Sequence, residues 1–292
     1  MSRLKRIVFT YFQPAAIGAI VLFWSCAPTS LTEQEWVTLV ASIVTLVTVQ
    51  ALEFVNERHA GWRTNTREFL TDLFYTVLYF TVIAKVATAL VDSPLASLKA
   101  SLGISTPWVT SMPFVAQVAF CFFLVEFGQY WMHRLMHNSP LWWTHAPHHH
   151  LTQLNAAKGL VGNPVELFLV SVSVIALFDF RLTAVFCAMN MVGAVSAFAH
   201  GNVRFDPPGW YSFFFTTIEA HSLHHQVGME ETRCNYANSL ILCDRMFGTF
   251  RAGEAAVVGQ DQRRRLSIRE QFLFPLKPLM AMFQRDRASA AG

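Results

Sequence analysis

His133-Arg-Leu-Met-His137, His145-Ala-Pro-His148-His149 and His221-Ser-Leu-His224-His225 are the three groups from which this chain is read. Ten of its eleven histidines lie between His133 and His225. His150 directly follows the second group, and His200 stands alone between the second and third. On a helix, residues three and four apart share a face, so each group points several imidazoles at one spot. Imidazole suits iron, zinc, copper and nickel. The eight grouped histidines with His200 make nine, too many for one metal ion and suited to two. His150 stays open, because His149 already completes its pattern, and His59 reads as an ordinary surface or core residue.

Composition sets the surroundings of these groups. The chain has 292 residues, 53% hydrophobic and only 14% charged, with 26 Phe and 8 Trp. Soluble domains average about 25% charged residues, so the balance points to a membrane. The net charge of +3 is small. The basic residues flank apolar runs, which suits anionic lipid headgroups better than nucleic acid. Five cysteines form no CxxC pair and read as small apolar residues.

Apolar runs extend over roughly 7–27, 36–55, 69–91 and 113–131, each about long enough to cross a bilayer as a helix, roughly 17–25 residues. The first contains Gln13-Pro14 and follows Arg3, Lys5 and Arg6. A cleaved signal peptide is its rival reading, but the run is long and no A-x-A site follows. Arg58, Arg63 and Arg67 crowd the loop after the second run, whereas the loops at 28–35 and 92–112 are poor in Lys and Arg. Positive-inside counting therefore puts the amino terminus, that basic loop and the segment after Trp131 on the cytoplasmic side. Residues 165–199 are apolar again, interrupted at Asp179-Phe-Arg181. They read as a short membrane hairpin or as a buried helix pair, with length slightly favouring the hairpin. Either way His200 returns to the side of the other histidines, and all three groups share one membrane face.

On the fourth run Glu126, Tyr130, His133 and His137 form one helical stripe. A carboxylate inside a membrane run is costly and usually functional. Glu126 either orients a ligand histidine from behind or pairs with a neighbouring helix. Asp72 and Asp244 are weaker candidates for the same role.

In this order the groups resemble the fatty acid hydroxylase/sterol desaturase superfamily of membrane non-haem diiron enzymes. HRLMH is similar to its HxxxH box, and HAPHH and HSLHH to its HxxHH boxes. Asn235 to Thr249, closing on Asp244-Arg-Met-Phe-Gly-Thr249, resembles its usual ending, with Ala237 and Cys243 standing where Gly and Trp are usual. The resemblance covers roughly residues 113–250. It implies an all-α polytopic membrane protein with four to six transmembrane helices and a cytoplasmic helical cap. The cap would carry two Fe ions on His133, His137, His145, His148, His149, His200, His221, His224 and His225, with Glu126, Asn235 and Asp244 behind them. The chain then divides into a transmembrane region at 1–112, a catalytic domain at 113–250 and a cytoplasmic tail at 251–292.

The activity so implied is O2-dependent hydroxylation of an unactivated C–H bond on an apolar or amphiphilic substrate from the bilayer. Desaturation by the same site is the alternative. Residues such as Trp142, Trp143, Trp210, Tyr211 and Phe213–Phe215 read as the wall of the substrate's route or as interfacial anchors. No cytochrome b5-like segment is visible, so electrons are expected from a separate ferredoxin or cytochrome b5-type donor with its reductase. A metal-transport protein would distribute ionisable residues through its spans, and a bis-His haem carrier would not need paired HxxHH groups.

Overall fold

The computed structural model describes residues 2–279, and their regular structure is helical. Two isolated bridges, Glu57 to Val203 and Gln226 to Val258, are the only β pairing among them. Five helices are long and apolar enough to span a membrane: α1 (Arg3–Cys26), α2 (Glu35–Val55), α3 (Thr66–Ser101), α4 (Phe114–His137) and a later one, Leu182–His200. The later helices in chain order are α5 (Trp142–His149), α6 (Pro164–Ser171), the spanning α7 (Leu182–His200), α8 (Gly209–Phe214), α9 (Ile218–His224), α10 (Leu242–Met246) and α11 (Ile268–Leu273), all short except α7.

The apolar faces divide into two kinds. In α1 and α2 only 17% and 11% of the most apolar window is buried, against 61% in α7. Thus α7 is the central post, with α1, α2 and α4 packed around it. Its buried residues include Ala184, Cys187, Ala188, Ala194, Ala197 and Ala199. Small side chains let helix backbones approach closely where lipid offers no hydrophobic drive. Asn190 adds polar glue: it accepts from Trp24 Nε1 at 2.9 Å and donates to Thr38 O at 3.1 Å and Ser42 Oγ at 2.8 Å. Phe12 packs against Phe198 and Phe205, and α1 runs on through Pro14 without ending.

The hairpin at 165–199 has unequal arms. The second arm is α7, whereas the first is the eight-residue α6 followed by irregular backbone around a 3-10 turn at Ile175–Leu177. That arm still reaches the end of the molecule opposite the histidines. There Asp179 pairs with Lys99, its N–H donates to Thr106 Oγ1 at 2.7 Å, and Arg181 N donates to Gln117 Oε1 at 3.0 Å. Non-helical backbone at membrane depth is tolerated where protein covers it, and α6 lies against α3 and α4. At the histidine end, Lys5 Nζ donates to Val55 O at 2.7 Å. The amino terminus and the end of α2 therefore meet on one face, as the charge pattern predicts.

Residues 251–279, expected as a tail, pack into the cap instead. Asn163 Nδ2 donates to Gln271 O at 2.8 Å, Tyr75 OH donates to Gln271 Oε1 at 2.5 Å, and Arg265 pairs with Glu68. Asp72 backs no histidine. With Glu68 it holds Lys158, whose Nζ lies 2.5 Å from Glu68 Oε2 and 2.6 Å from Asp72 Oδ1 at zero exposure. Removing one partner from a buried ion pair costs about 3–5 kcal/mol, because the other charge is left unpaired. We expect Lys158→Met to lower the thermal unfolding midpoint in detergent clearly, and an unchanged midpoint would show that the cluster contributes nothing net.

Candidate metal centre

The centre is assembled from the ends of helices. His133 and His137 sit on the last two turns of α4, on the stripe begun by Glu126 and Tyr130. His200 is the last residue of α7. The HxxHH groups lie on the short helices α5 and α9, with His225 at the C-cap of α9. All nine are buried.

They separate into two sets: His133, His137, His145, His149 and His224, and His148, His200, His221 and His225. The expectation that each HxxHH group aims at one spot is therefore corrected. The i, i+4 pair of each group shares a set, and the i+3 member turns to the other one. Thus α5 gives two histidines to the first set and one to the second, and α9 does the reverse.

The spacing fits metal ligation. In the first set, His145 Nε2 lies 2.9 Å from both His133 Nε2 and His149 Nε2, and His133 Nε2 lies 3.0 Å from His224 Nε2. In the second, His221 Nε2 is 2.9 Å from His200 Nε2 and 3.1 Å from His225 Nε2. Nitrogens bound at right angles to one ion with bonds of about 2.1 Å lie roughly 3.0 Å apart. His133, His145 and His224, each with an acceptor at Nδ1, meet lone pair to lone pair, and neutral imidazoles have no other good reason to converge so closely.

The opposite ring nitrogens fix the tautomers. Nδ1 donates to Tyr236 O from His133 (2.5 Å), to Val161 O from His148 (2.8 Å), to Ser196 O from His200 (2.9 Å) and to Cys234 O from His224 (2.7 Å). A carbonyl only accepts, so Nδ1 carries the proton and Nε2 keeps its lone pair for the interior. His145 Nδ1 faces Glu166 Oε1 at 2.6 Å, and His137 Nδ1 faces Thr232 Oγ1 at 3.2 Å. Burial also keeps these rings uncharged. It depresses His145 to about 3 and lowers His148, His149, His221, His224 and His225. Neighbouring imidazoles add to the effect in all of these but His145.

Three residues expected behind the histidines work one step further back. Glu126 touches no histidine and pairs with no helix side chain. Its Oε2 accepts Ser239 N at 2.7 Å and Leu240 N at 2.9 Å. Asp244 accepts Tyr236 N and Ala237 N, both at 2.8 Å, and Thr249 Oγ1 at 2.6 Å. Together they clamp the loop that presents the Tyr236 carbonyl to His133. Asn235 takes the left-handed φ of 50°, which Asn tolerates. It ties Ala220 of α9 to Arg251 through bonds of 2.8 and 2.9 Å.

His150 belongs to neither set. Its Nδ1 donates to Ala146 O at 2.8 Å, and its Nε2 lies 3.0 Å from Asp261. His59 meets Glu254 at 2.7 Å, away from the centre. Trp142 is no simple interfacial anchor, because its ring lies 5.1 Å from that of His137 and 5.3 Å from that of His149. Trp210, Phe213 and Phe214 are exposed. Glu166 escapes the sequence reading, although Asn163-Pro-Val-Glu166 spells the capping box it forms at the start of α6.

Residues 118–249, which carry all nine histidines, match the fatty acid hydroxylase family. The ornithine lipid hydroxylase OlsE of Rhizobium tropici is 32% identical over 149 residues, 49% of this chain and 44% of that protein. The alkylglycerol monooxygenase of Homo sapiens is 30% identical over 138 residues, 46% of this chain and 30% of that protein. The Delta(7)-sterol-C5(6)-desaturase of Nicotiana tabacum is 30% identical over 154 residues, 48% of this chain and 51% of that protein. The chain spans about half or less of the length of these relatives. No solved structure matches it. A helical membrane protein with a buried histidine cluster is the class that fold and site define. The likeness to the fatty acid hydroxylase family is confined to residues 118–249, just under half of the chain, and the similar proteins are by name lipid hydroxylases, a monooxygenase and a sterol desaturase.

Partners behind metal-bound histidines are typically worth 10–100-fold in metal affinity. We expect Glu166→Ala to weaken metal binding by roughly that factor in titrations of the metal-free protein, with His150→Ala unchanged. Equal affinities for both variants would remove Glu166 from the centre.

Proposed function

We propose that the nine histidines hold two iron ions and that the protein is a membrane oxygenase. It would hydroxylate an unactivated C–H bond of a lipid-like or apolar substrate, with O2 as cosubstrate. The observation that carries this reading is the pair of dry imidazole sets, five and four in number, with Nε2 atoms at ligand spacing. When bound, the iron ions supply the electrons that activate O2 and the oxidant that meets the C–H bond.

The protein's own part is positional. Buried neutral rings offer lone pairs without repelling a cation, and carbonyls at Nδ1 hold His133, His148, His200 and His224 in their planes. Burial keeps bulk water from the reacting atoms. Exposed apolar faces such as those of α1 and α2 provide a lipid-side surface along which an amphiphile reaches the cap. Desaturation is the second reading, favoured by the match to a sterol desaturase, since substrate placement alone separates the two outcomes. Metal transport is disfavoured because the histidines gather at one end of the spans instead of lining a path.

The histidine face is cytoplasmic in this reading, from the basic Arg58–Arg67 loop beside it, and an external ferredoxin or cytochrome b5-type donor delivers the electrons there. Tags near Arg63 and in the 101–106 loop should report opposite sides, the first cytoplasmic; the reverse result overturns the orientation.

The reaction is tested with labelled O2, a reducing system and candidate lipids. Incorporated label means hydroxylase, and loss of two hydrogens without label means desaturase. Alanine at any one of the nine histidines should lower iron content and abolish turnover. Full iron and full turnover in two such variants, or undiminished product without O2, would overturn the diiron reading.

A further inference from the structure

Where α2 leaves the apolar region, a cavity of about 290 Å³ opens between Glu53, Phe54, Glu57, Trp62, Arg63 and Asn202. It lies outside the histidine sets, and the oxygenase reading gives it no task. Its floor is Glu53, only 9% exposed. Glu53 Oε1 accepts Ala156 N at 2.8 Å and Asn202 N at 3.0 Å, which ties it to the segment just after His200. Both hydrogen bonds to this carboxylate fall on Oε1, and Oε2 takes none from the described residues.

The neighbouring cations are committed elsewhere. Arg63 pairs with Glu57 at 2.8 Å, Lys158 with Glu68 and Asp72, and Arg58 with Asp206, Glu219 and Glu254. Glu53 is thus a largely buried carboxylate with one oxygen free beside an open space. Buried charges are normally paired. Trp62 gives the space an aromatic wall, which also suits a cation. Phe54, 81% exposed on the lipid-facing side of α2, stands at the rim. The volume is at the small end of ligand pockets, roughly 300–1,000 Å³. It has room for a headgroup while an acyl chain stays in the bilayer alongside Phe54.

We propose that this cavity binds the ammonium group of an amphiphilic lipid, with Glu53 Oε2 as its counter-ion. The ligand is either the substrate's own headgroup or a resident lipid of the same chemistry. Only the substrate version rests on the oxygenase reading.

Glu53→Gln tests it with little disturbance, because the amide oxygen can still accept from Ala156 N and Asn202 N while the charge is gone. The probes are an ornithine lipid and the same lipid with its amine acetylated, bound to the full-length, iron-loaded protein in nanodiscs. The wild type should bind the free amine about tenfold or more tightly than the acetylated lipid, as a charge-assisted bond predicts. Glu53→Gln should erase that preference with iron content and unfolding midpoint unchanged. No preference in the wild type, or one that survives in Glu53→Gln, overturns the site. A variant that raises KM for the free-amine lipid at constant kcat assigns the site to substrate. A binding change with unaltered KM assigns it to a resident lipid. Neither result bears on the iron centre, which is read independently from metal content.

Discussion

Nine uncharged imidazoles packed into one dry interior are the constraint on which the rest of this structure depends. Burial strips each ring of water, and the lone pairs then face one another at about van der Waals contact or closer. The arrangement persists only if the rings are held in place and something electropositive satisfies the middle. The surroundings hold six of the nine from behind, and the i, i+4 spacing on α5 and α9 places His149, His221 and His225, whose Nδ1 atoms have no partner among the described residues. Backbone carbonyls of Val161, Ser196, Cys234 and Tyr236, with Glu166 and Thr232, occupy the outward nitrogens. Ser196 lies on α7 itself, one turn before His200, whereas Val161, Cys234 and Tyr236 lie in loops that have supports of their own. Glu126 and Asp244 hold the loop at 235–241, while Lys158 with Glu68 and Asp72 anchors the loop before Val161. Charged groups that look misplaced in an apolar chain thus serve to fix backbone.

Helix ends do the gathering. The two spanning helices α4 and α7 deliver three histidines at their termini, and α5 and α9 bridge between the two sets. Because each bridging helix contributes to both, neither set can be rebuilt without moving the other. A shift of α9 that loosened His221 and His225 would also withdraw His224 from the opposite set.

Much of this was legible in the residues themselves. Apolar runs with basic flanks mark the spans, and HxxxH and HxxHH spacing marks ligand-bearing helices. What spacing could not give was how each triplet divides, since i+3 and i+4 lie on one face of a helix and only a second helix decides which ring turns where. The groups that orient the rings are mostly backbone carbonyls, which no residue type announces. Lys158 and Glu166 were hidden for a related reason. Their role is set by a partner about 86–90 residues away for Lys158 and 21 residues away for Glu166. The tail at 251–279 reads as polar and loose, yet Arg265 and Gln271 find their partners on α3.

The length of α3 carries a last consequence. At about 1.5 Å per residue its 36 residues reach roughly 54 Å, nearly twice the thickness of a bilayer's hydrocarbon. Lying wholly within that layer would demand a tilt of about 55°, beyond the 0–40° range of known spans. The charges divide it instead. Glu68 and Asp72 are locked into the cap, Asp92 and Lys99 mark the other end, and the roughly 20 residues between Asp72 and Asp92, with Lys85 as their single charge, match the hydrocarbon in length. The helix acts as a dipstick that sets how deep the protein rides. With the cap at a fixed height above the acyl chains, position along a lipid tail becomes a vertical distance.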